Sequence, residues 1–193
     1  MKKVLIATTN KDKFKIVSRL FNDTIFPSSE YEILSLSSDM NIPDEKESGS
    51  NIERARAKAL NAFNYLKYYN FDYIVGLDDA IIIKGKVEPN IKEYINKILY
   101  ENYLEDGEEY AFNRAYCIID KEKNIYEVNL DVPEIYHPLK GNFTLEEHSY
   151  PLSHVSYPIG YAKPISELNE EESTNYYLKY VRKGLMDLNI KKH

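Results

Sequence analysis

The sequence contains little of what disulfide-bonded or metal-scaffolded proteins require. Its 193 residues include one cysteine, Cys117, which excludes an internal disulfide and any site built from several cysteines. Cys117 lies in the apolar stretch AYCII, so we expect an inert thiol in the core. The four histidines lack the spacing of a metal site, and we find no Ser-His-Asp or Cys-His arrangement that would support a nucleophilic enzyme.

Long apolar runs are also absent from the chain. The apolar run at residues 4–7 is too short for the core of a signal peptide or for a membrane span, so we expect a cytoplasmic protein. The net charge of −6 argues against nucleic-acid binding, which needs a basic face, but it permits a small basic pocket for a phosphorylated metabolite. Because neither repeats nor low-complexity linkers interrupt the chain, we expect a single domain over residues 1–193.

Apolar runs and helical periodicities alternate along the chain, which predicts an α/β fold with a mixed central sheet flanked by helices. The predicted strands are KKVLIAT, EYEILSL, DYIVGL and AIIIKGK, followed by a hairpin of YAFNRAYCIID and NIYEVNLDVPEIY around the turn at residues 121–124. The predicted helices are KDKFKIVSRLF, NIERARAKALNAFNYLKYY, IKEYINKILYENYL and NEEESTNYYLKYVRKGLMDL. The polar residues 37–50 are predicted to form a loop.

The first stretch of functional interest is VLIATTNKDKFKI, where a strand runs into the first helix. Thr9 is a candidate N-cap, with Asp12 completing a capping box. Alternatively, the helix start binds a phosphate, with Thr8, Thr9 and Asn10 donating hydrogen bonds and Lys13 adding a charge. The stretch has no glycine and no G-K-[ST], so it is not a Walker loop.

The second stretch is SGSNIERARAKA, which begins the second helix. Ser50 and Glu53 have the spacing of a capping box, and Lys58 would then be a solvated helix residue. Alternatively, both side chains border a cleft, where the Glu53 carboxylate suits Mg²⁺ and the Lys58 ammonium suits a phosphate oxygen.

The third stretch is VGLDDAIII, in which Asp78 and Asp79 adjoin between apolar segments. Two neighbouring carboxylates repel each other and are costly to bury without partners. We expect either a solvent-exposed turn or a bound cation that offsets the charge. Successive side chains of a strand point to opposite faces, so only one of the two is expected to reach a given metal directly.

In this order the three stretches resemble the inosine triphosphate pyrophosphatase family, which hydrolyses deaminated purine nucleoside triphosphates. The family's T/S-x-N-x-x-K motif is matched by Thr8, Asn10 and Lys13, and its acidic helix start with a downstream lysine by Glu53 and Lys58. Its A-D-D-S-G motif corresponds to LDDAI at residues 77–81. AYCIID resembles its middle strand, and YPIGYAKPISELNEEES resembles its G-F-G-Y-D-P segment and the run before the last helix, so the resemblance spans nearly the whole chain.

The resemblance implies a fold of two lobes with a cleft and a Mg²⁺-dependent hydrolysis of nucleoside triphosphates to a monophosphate and pyrophosphate. Inosine, xanthosine or other non-standard purine triphosphates are the implied substrates, and a homodimer is the implied assembly. Glu53 and Asp78 would hold Mg²⁺, and Asp79 would activate or orient water, although the two aspartates are interchangeable as ligand and base. The implied phosphate-binding residues are Thr8, Thr9, Asn10, Lys13 and Lys58.

The sequence departs from the family mainly where the base is recognised. Ala80 and Ile81 replace Ser and Gly after the two aspartates, Ile16 replaces a glutamate, and residues 162–163 lack the aspartate of G-Y-D-P. The Ser-His-Arg that reads the purine corresponds to residues 179–181, which read Lys-Tyr-Val. Its loss implies a relaxed or redirected base specificity.

Tyr157 and Tyr161 are the candidates for stacking on the base, and either equally suits a packing role. The alternative function is a non-catalytic relative that binds nucleotides or a protein partner.

Overall fold

The computed structural model describes residues 1–37, 40, 42–43, 48–140 and 151–190. Much of the loop predicted at residues 37–50 therefore lies outside the described residues. The strands are β1 (Lys2–Ile6), β2 (Tyr31–Ser35), β3 (Tyr73–Ile83), β4 (Lys86–Glu88), β5 (Glu109–Asp120), β6 (Ile125–Tyr136) and β7 (Ser156–Pro158). The α-helices are α1 (Lys11–Asn22), α2 (Asn51–Tyr65), α3 (Ile91–Tyr100) and α4 (Glu170–Met186), with short 3-10 helices at Pro151–His154 and Ile165–Glu167.

The strands form one mixed sheet in the order β2-β1-β3-β5-β6-β7, with β4 paired to β3. β1 is parallel to both β2 and β3, whereas β4 is antiparallel to β3 and β7 is antiparallel to β6. The predicted α/β class with a mixed sheet flanked by helices is therefore confirmed. The predicted hairpin is also confirmed, since β5 and β6 are joined by the turn at residues 121–124.

The chain divides into two compact units. The first unit comprises Met1–Asp78, Arg114–Leu130 and Tyr180–His193, and the second comprises Asp79–Asn113 and Asp131–Lys179. No helix within the described ranges is both long and apolar enough to cross a membrane.

In the first unit, α1 and α2 cover opposite faces of the sheet. The ring of Phe21, on α1, lies edge-on to Tyr116 of β5, with the ring centroids 5.3 Å apart. Ala55 and Ala59, on α2, pack against Cys117 and other residues of the same strand. Because alternate strand residues face opposite sides, the two helices must lie on different faces.

The second unit has its own apolar core. α3 packs there against residues of β3, β5 and β6 and against the first 3-10 helix. The fully or nearly buried members of this cluster are Ile81, Ile83, Ile98, Leu99, Leu104, Tyr110, Phe112, Tyr136, Leu152 and Val155.

Candidate functional site

The first helix is capped by Asn10. Its Oδ1 accepts hydrogen bonds from the backbone N–H groups of Asp12 and Lys13, each at 3.0 Å. The Asn10 N–H in turn donates to Thr8 Oγ1 at 3.2 Å. The prediction that Thr9 is the N-cap is therefore wrong by one residue, because the amide oxygen of Asn10 satisfies the two N–H groups that the cap must reach. The cap uses Oδ1, so Nδ2 is the group of Asn10 that can donate to a ligand.

The carboxyl end of β1 lies beside the first residues of β3. Ile6 is in register with Val75, and the Ala7 N–H donates to the Val75 carbonyl oxygen at 2.8 Å. β2, which follows β1 in the chain, lies on one side of β1 in the sheet, and β3 lies on the other side. This arrangement is a topological switch point, the place where open α/β sheets commonly bind ligands. Residues 8–10 directly follow β1 at this edge.

The second helix runs antiparallel to β3 and approaches it closely at Gly76. Ala62 packs in the same cluster as Ile74, near the start of β3. Further along the strand, a Cβ on Gly76 would lie 2.0 Å from the Ala55 carbonyl oxygen and 2.5 Å from the Ala59 nitrogen. The amino-terminal end of α2 therefore lies towards the carboxyl end of β1 and the middle of β3. Sequence reasoning missed this role of Gly76, although a lone glycine in an apolar strand is a signal of close backbone approach.

Lys58 and Asp78 form an ion pair. Lys58 Nζ lies 2.5 Å from Asp78 Oδ1, and the two side chains are 20% and 9% exposed. Asp78 is two residues beyond Gly76, so its side chain points to the face of β3 that α2 covers. The structure thus brings together two of the residues predicted for the site.

The two aspartates lie inside a strand and not at a turn. β3 is continuous from Tyr73 to Ile83, and Asp78 as a whole residue is 7% exposed. The alternative of a solvent-exposed turn is therefore wrong. The ammonium of Lys58 offsets the charge of Asp78. Asp79 is half-buried and its side chain points to the opposite face of β3.

Glu53 closes the capping box of α2, as predicted. Its Oε2 accepts hydrogen bonds from both the backbone N–H and the hydroxyl of Ser50, each at 2.8 Å. These hydrogen bonds lower the pKa of the Glu53 carboxyl below its usual value. Gly49 precedes the cap with a φ of +82°, and a Cβ there would lie 2.5 Å from Glu53 Oε2. The positive φ favours glycine at this position, and a Cβ there would displace the Glu53 carboxylate.

The oxygen donors of the first unit suit a Mg²⁺ ion that arrives with phosphates. Within the described part of the chain, no group of three His, Cys, Asp or Glu residues is arranged to hold a metal. Glu53 and Asp78 each have a partner, Ser50 and Lys58 respectively. Mg²⁺ commonly binds through one or two carboxylates together with substrate phosphate oxygens, so these residues fit a metal–phosphate complex better than a bare ion.

The two tyrosines considered for base stacking belong to the second unit and differ in accessibility. Tyr157, on β7, is 6% exposed. The ring of His137 lies edge-on to it at 4.5 Å, and Lys140 Nζ lies 6.0 Å from its ring centroid. Tyr161 is 36% exposed and lies edge-on to Tyr176. Of the two, Tyr161 offers more free ring surface.

The burial of Cys117 and of Val181 bears on two of the sequence predictions. Cys117 is fully buried, as predicted, and burial raises the pKa of its thiol to about 12, so the reactive thiolate is scarce at neutral pH. Val181, which the resemblance aligns with the family's purine reader, is fully buried. An apolar side chain in the core has no hydrogen bond to offer a base.

The comparisons with known proteins agree in fold and are distant in sequence. No protein-family model and no curated protein matches the chain. The fold is similar to the crystal structure of a nucleoside-triphosphatase / dITP/XTP pyrophosphatase from Mycobacterium abscessus, with a TM-score of 0.58, 17% identity, and coverage of 96% of this chain and 97% of that one.

Two Ham1 proteins are also similar in fold over nearly their whole length. The protein from Coxiella burnetii gives a TM-score of 0.62 at 13% identity, covering 97% of this chain and 98% of its own. The protein from Staphylococcus aureus gives a TM-score of 0.58 at 14% identity, covering 96% of this chain and 94% of its own. The predicted likeness in fold to the pyrophosphatase family is therefore confirmed.

Proposed function

We propose that this protein is a nucleoside triphosphate pyrophosphatase that releases pyrophosphate and a nucleoside monophosphate. The proposal is supported by the agreement between the fold of the chain and the positions of its motif residues. The chain is similar over nearly its full length to a structure described as a dITP/XTP pyrophosphatase. In the first unit, the residues that match the family's motifs include Asn10, after β1, and the Lys58–Asp78 pair beside β3.

In this proposal the triphosphate binds at the carboxyl end of β1, next to β3. The Nδ2 group of Asn10 donates to a phosphate oxygen, while the Thr8 and Thr9 hydroxyls lie in the same connection. Lys13, in the first turn of α1, and Lys58 supply positive charge for the remaining phosphate oxygens. These contacts orient the α–β linkage for attack, which is the main task of a protein in phosphoryl transfer.

Asp79 acts as the general base in this proposal. It accepts a proton from a water molecule as the water oxygen forms a bond to the α-phosphorus. The bond from that phosphorus to the oxygen bridging to the β-phosphorus breaks, and pyrophosphate leaves with the electron pair. Glu53 and Asp78 would hold Mg²⁺ together with the phosphate oxygens, and the ion would supply electrostatic stabilisation of the developing charge.

The proposed substrates are purine triphosphates, including inosine and xanthosine triphosphates, and the protein is proposed to discriminate weakly between their bases. The burial of Val181 supports this choice, because this apolar side chain stands in the place of the arginine of the family's purine reader and offers no hydrogen bond to a base. Tyr161, with its partly exposed ring, is the better candidate for stacking on the base. We expect standard and deaminated purine triphosphates to differ by less than about 100-fold in kcat/KM.

Pyrophosphate release tests the proposal. The purified protein is incubated with a panel of standard and deaminated triphosphates, with Mg²⁺ or with a chelator, and pyrophosphate and monophosphate are both quantified. Equal amounts of the two products, formed only with Mg²⁺, are expected. Release of inorganic phosphate and a diphosphate would show cleavage at the other linkage and would contradict the proposal. Light scattering on the same preparation tests the homodimer that the resemblance implies.

The alternative function is a non-catalytic protein that binds nucleotides or another protein. The Lys58–Asp78 ion pair favours it, because this pairing offsets the charge of Asp78 within the protein. Calorimetry with a triphosphate separates the two functions. Binding without turnover of any triphosphate supports the alternative, whereas turnover that ceases in an Asp79→Asn variant supports the enzyme.

A further inference from the structure

The ion pair between Lys58 and Asp78 is sheltered from solvent. The ammonium and carboxylate are 2.5 Å apart, and their side chains are 20% and 9% exposed. Water screens such a pair much less than it screens a surface pair. Removing either partner would leave a charge in a poorly solvated place, which is strongly unfavourable. Breaking the pair without offering another partner is therefore costly.

The close packing of α2 on the backbone of β3 fixes the positions of Lys58 and Asp78 relative to each other. At Gly76, α2 approaches β3 so closely that a Cβ would collide with Ala55 and Ala59. Lys58 is adjacent to Ala59 in α2, and Asp78 is two residues beyond Gly76 on the same face of β3. The helix cannot slide along the strand without breaking this contact. Only the lysine side chain, with its flexible four-carbon stem, is able to change partner.

The pair disfavours the binding of a free divalent cation. The oxygen of Asp78 that contacts Lys58 is already occupied, and the nearby ammonium repels a second positive charge. Glu53 is similarly occupied, since its Oε2 accepts two hydrogen bonds from Ser50. A triphosphate changes this balance, because its oxygens offer Lys58 another anionic partner and bring further oxygen ligands for the metal.

We propose that Lys58 is a positioning residue that exchanges Asp78 for a phosphate of the incoming nucleotide, so that Asp78 binds the metal only when the nucleotide is present. This inference rests on the proposed function, which makes a nucleoside triphosphate the ligand. The binding of metal and of nucleotide is then coupled, and the coupling is reciprocal. The pair prevents the free protein from holding a metal at a site with no substrate in it.

The test measures metal and nucleotide binding separately. Mn²⁺ binding is followed by electron paramagnetic resonance without nucleotide, and binding of the α,β-methylene analogue of inosine triphosphate is followed by calorimetry with a chelator. In Lys58→Gln, which keeps a hydrogen-bond donor but removes the charge, we expect Mn²⁺ to bind about tenfold more tightly and the analogue about tenfold more weakly than in the wild type. Opposite changes in the two affinities are the signature of an exchange, and a merely structural lysine would not produce them.

Lys183→Gln is the matched control. It removes the same charge from the exposed Lys183–Asp187 pair, so both affinities should stay within about twofold of the wild type. Thermal melts establish that each variant is folded. If Lys58→Gln does not fold, Lys58→Arg takes its place. The guanidinium holds a carboxylate more firmly, so Mn²⁺ should bind no more tightly than to the wild type.

The outcomes separate the inference from the proposed function. If Lys58→Gln binds Mn²⁺ no more tightly than the wild type while the wild type binds and hydrolyses triphosphates, the exchange is overturned and the enzyme stands. Tighter Mn²⁺ binding by Lys58→Arg overturns it as well. If the wild type neither binds the analogue nor releases pyrophosphate, the proposed function is wrong. The inference that Lys58 moves to a nucleotide phosphate is then wrong as well.

Discussion

The carbonyl oxygen of Ala55 lies where a side chain on Gly76 would have to stand. A Cβ built on Gly76 would be 2.0 Å from that oxygen, well inside any allowed contact. The helix α2 therefore rests directly on the backbone of β3. This contact places Lys58 beside Asp78, so a residue with no side chain determines the position of two charged ones.

We expect Gly76→Ala to destabilise the protein by about 3 kcal/mol or more, because the methyl group must displace the backbone of α2. Unfolding in urea, followed by circular dichroism, measures the change. Gly184→Ala is the control, since its nearest neighbour is the end of the Leu130 side chain, which can rotate away, and alanine favours a helix. The control should stay within about 1 kcal/mol of the wild type. Equal effects of the two substitutions would contradict the close approach at Gly76.

The cap of α1 gives a second prediction. Asn10→Ala removes the oxygen that accepts from two N–H groups, so we expect a loss of about 1 kcal/mol in the free energy of unfolding. Thr9→Ala, one residue earlier, is the matched control and should cost clearly less. A larger effect at Thr9 than at Asn10 would restore Thr9 as the cap.

Glu53→Gln separates the two roles proposed for Glu53. Glutamine can still accept the Ser50 hydrogen bonds, so we expect the melting temperature to change by no more than about 3 °C. Pyrophosphate release should nonetheless fall, and its dependence on Mg²⁺ should move to higher concentration, because a metal-binding charge is lost. Glu53→Ala removes the cap as well and should also lower the melting temperature. Full activity of Glu53→Gln would show that Glu53 is not a metal ligand.

Asp79→Asn tests the proposed base. We expect a loss in kcat on the order of 10²-fold or more, since asparagine cannot accept the proton of the attacking water. The affinity for the α,β-methylene analogue should change little, because binding relies on other residues. Asp187→Asn, at an exposed surface pair, is the control. Activity of Asp79→Asn within a few-fold of the wild type would exclude Asp79 as the base.

The Arg56–Glu127 ion pair predicts a pH dependence of stability. Arg56 contacts both carboxylate oxygens of Glu127 at 2.6 Å, and this lowers the pKa of Glu127 below its ordinary value of 4.5. Because the pKa of Glu127 is lower in the folded state than in the unfolded state, the pair stabilises the folded protein at pH values above the unfolded-state pKa. This stabilisation is lost as the pH falls through the folded-state pKa.

Melting temperatures at two pH values check this prediction. Glu127→Gln should lower the melting temperature at pH 7 by about 2–4 °C, and the difference from the wild type should shrink towards pH 3. A difference that is the same at both pH values would show that the ionised pair is not the cause.

Local sequence patterns determined most of the secondary structure. The apolar stripe of α2, the capping box of Ser50 and Glu53, and the hairpin of β5 and β6 were all predictable, because each depends on residues close together in the chain. The same holds for the mixed α/β class, which follows from the alternation of helices and strands. The N-cap of α1 was misplaced by one residue, since Thr9 and Asn10 are both good caps and only the path of the chain after β1 chooses between them.

Only the tertiary structure decided how the two aspartates are accommodated. Their charge and apolar neighbours pointed to a turn or a cation, yet both lie within β3, and Lys58 neutralises Asp78 from 20 residues away in the chain. That pairing depends on the packing of α2 over Gly76, which no local pattern encodes. The sequence by itself determined which charged residues are present, and the contact between helix and strand determined which of them meet.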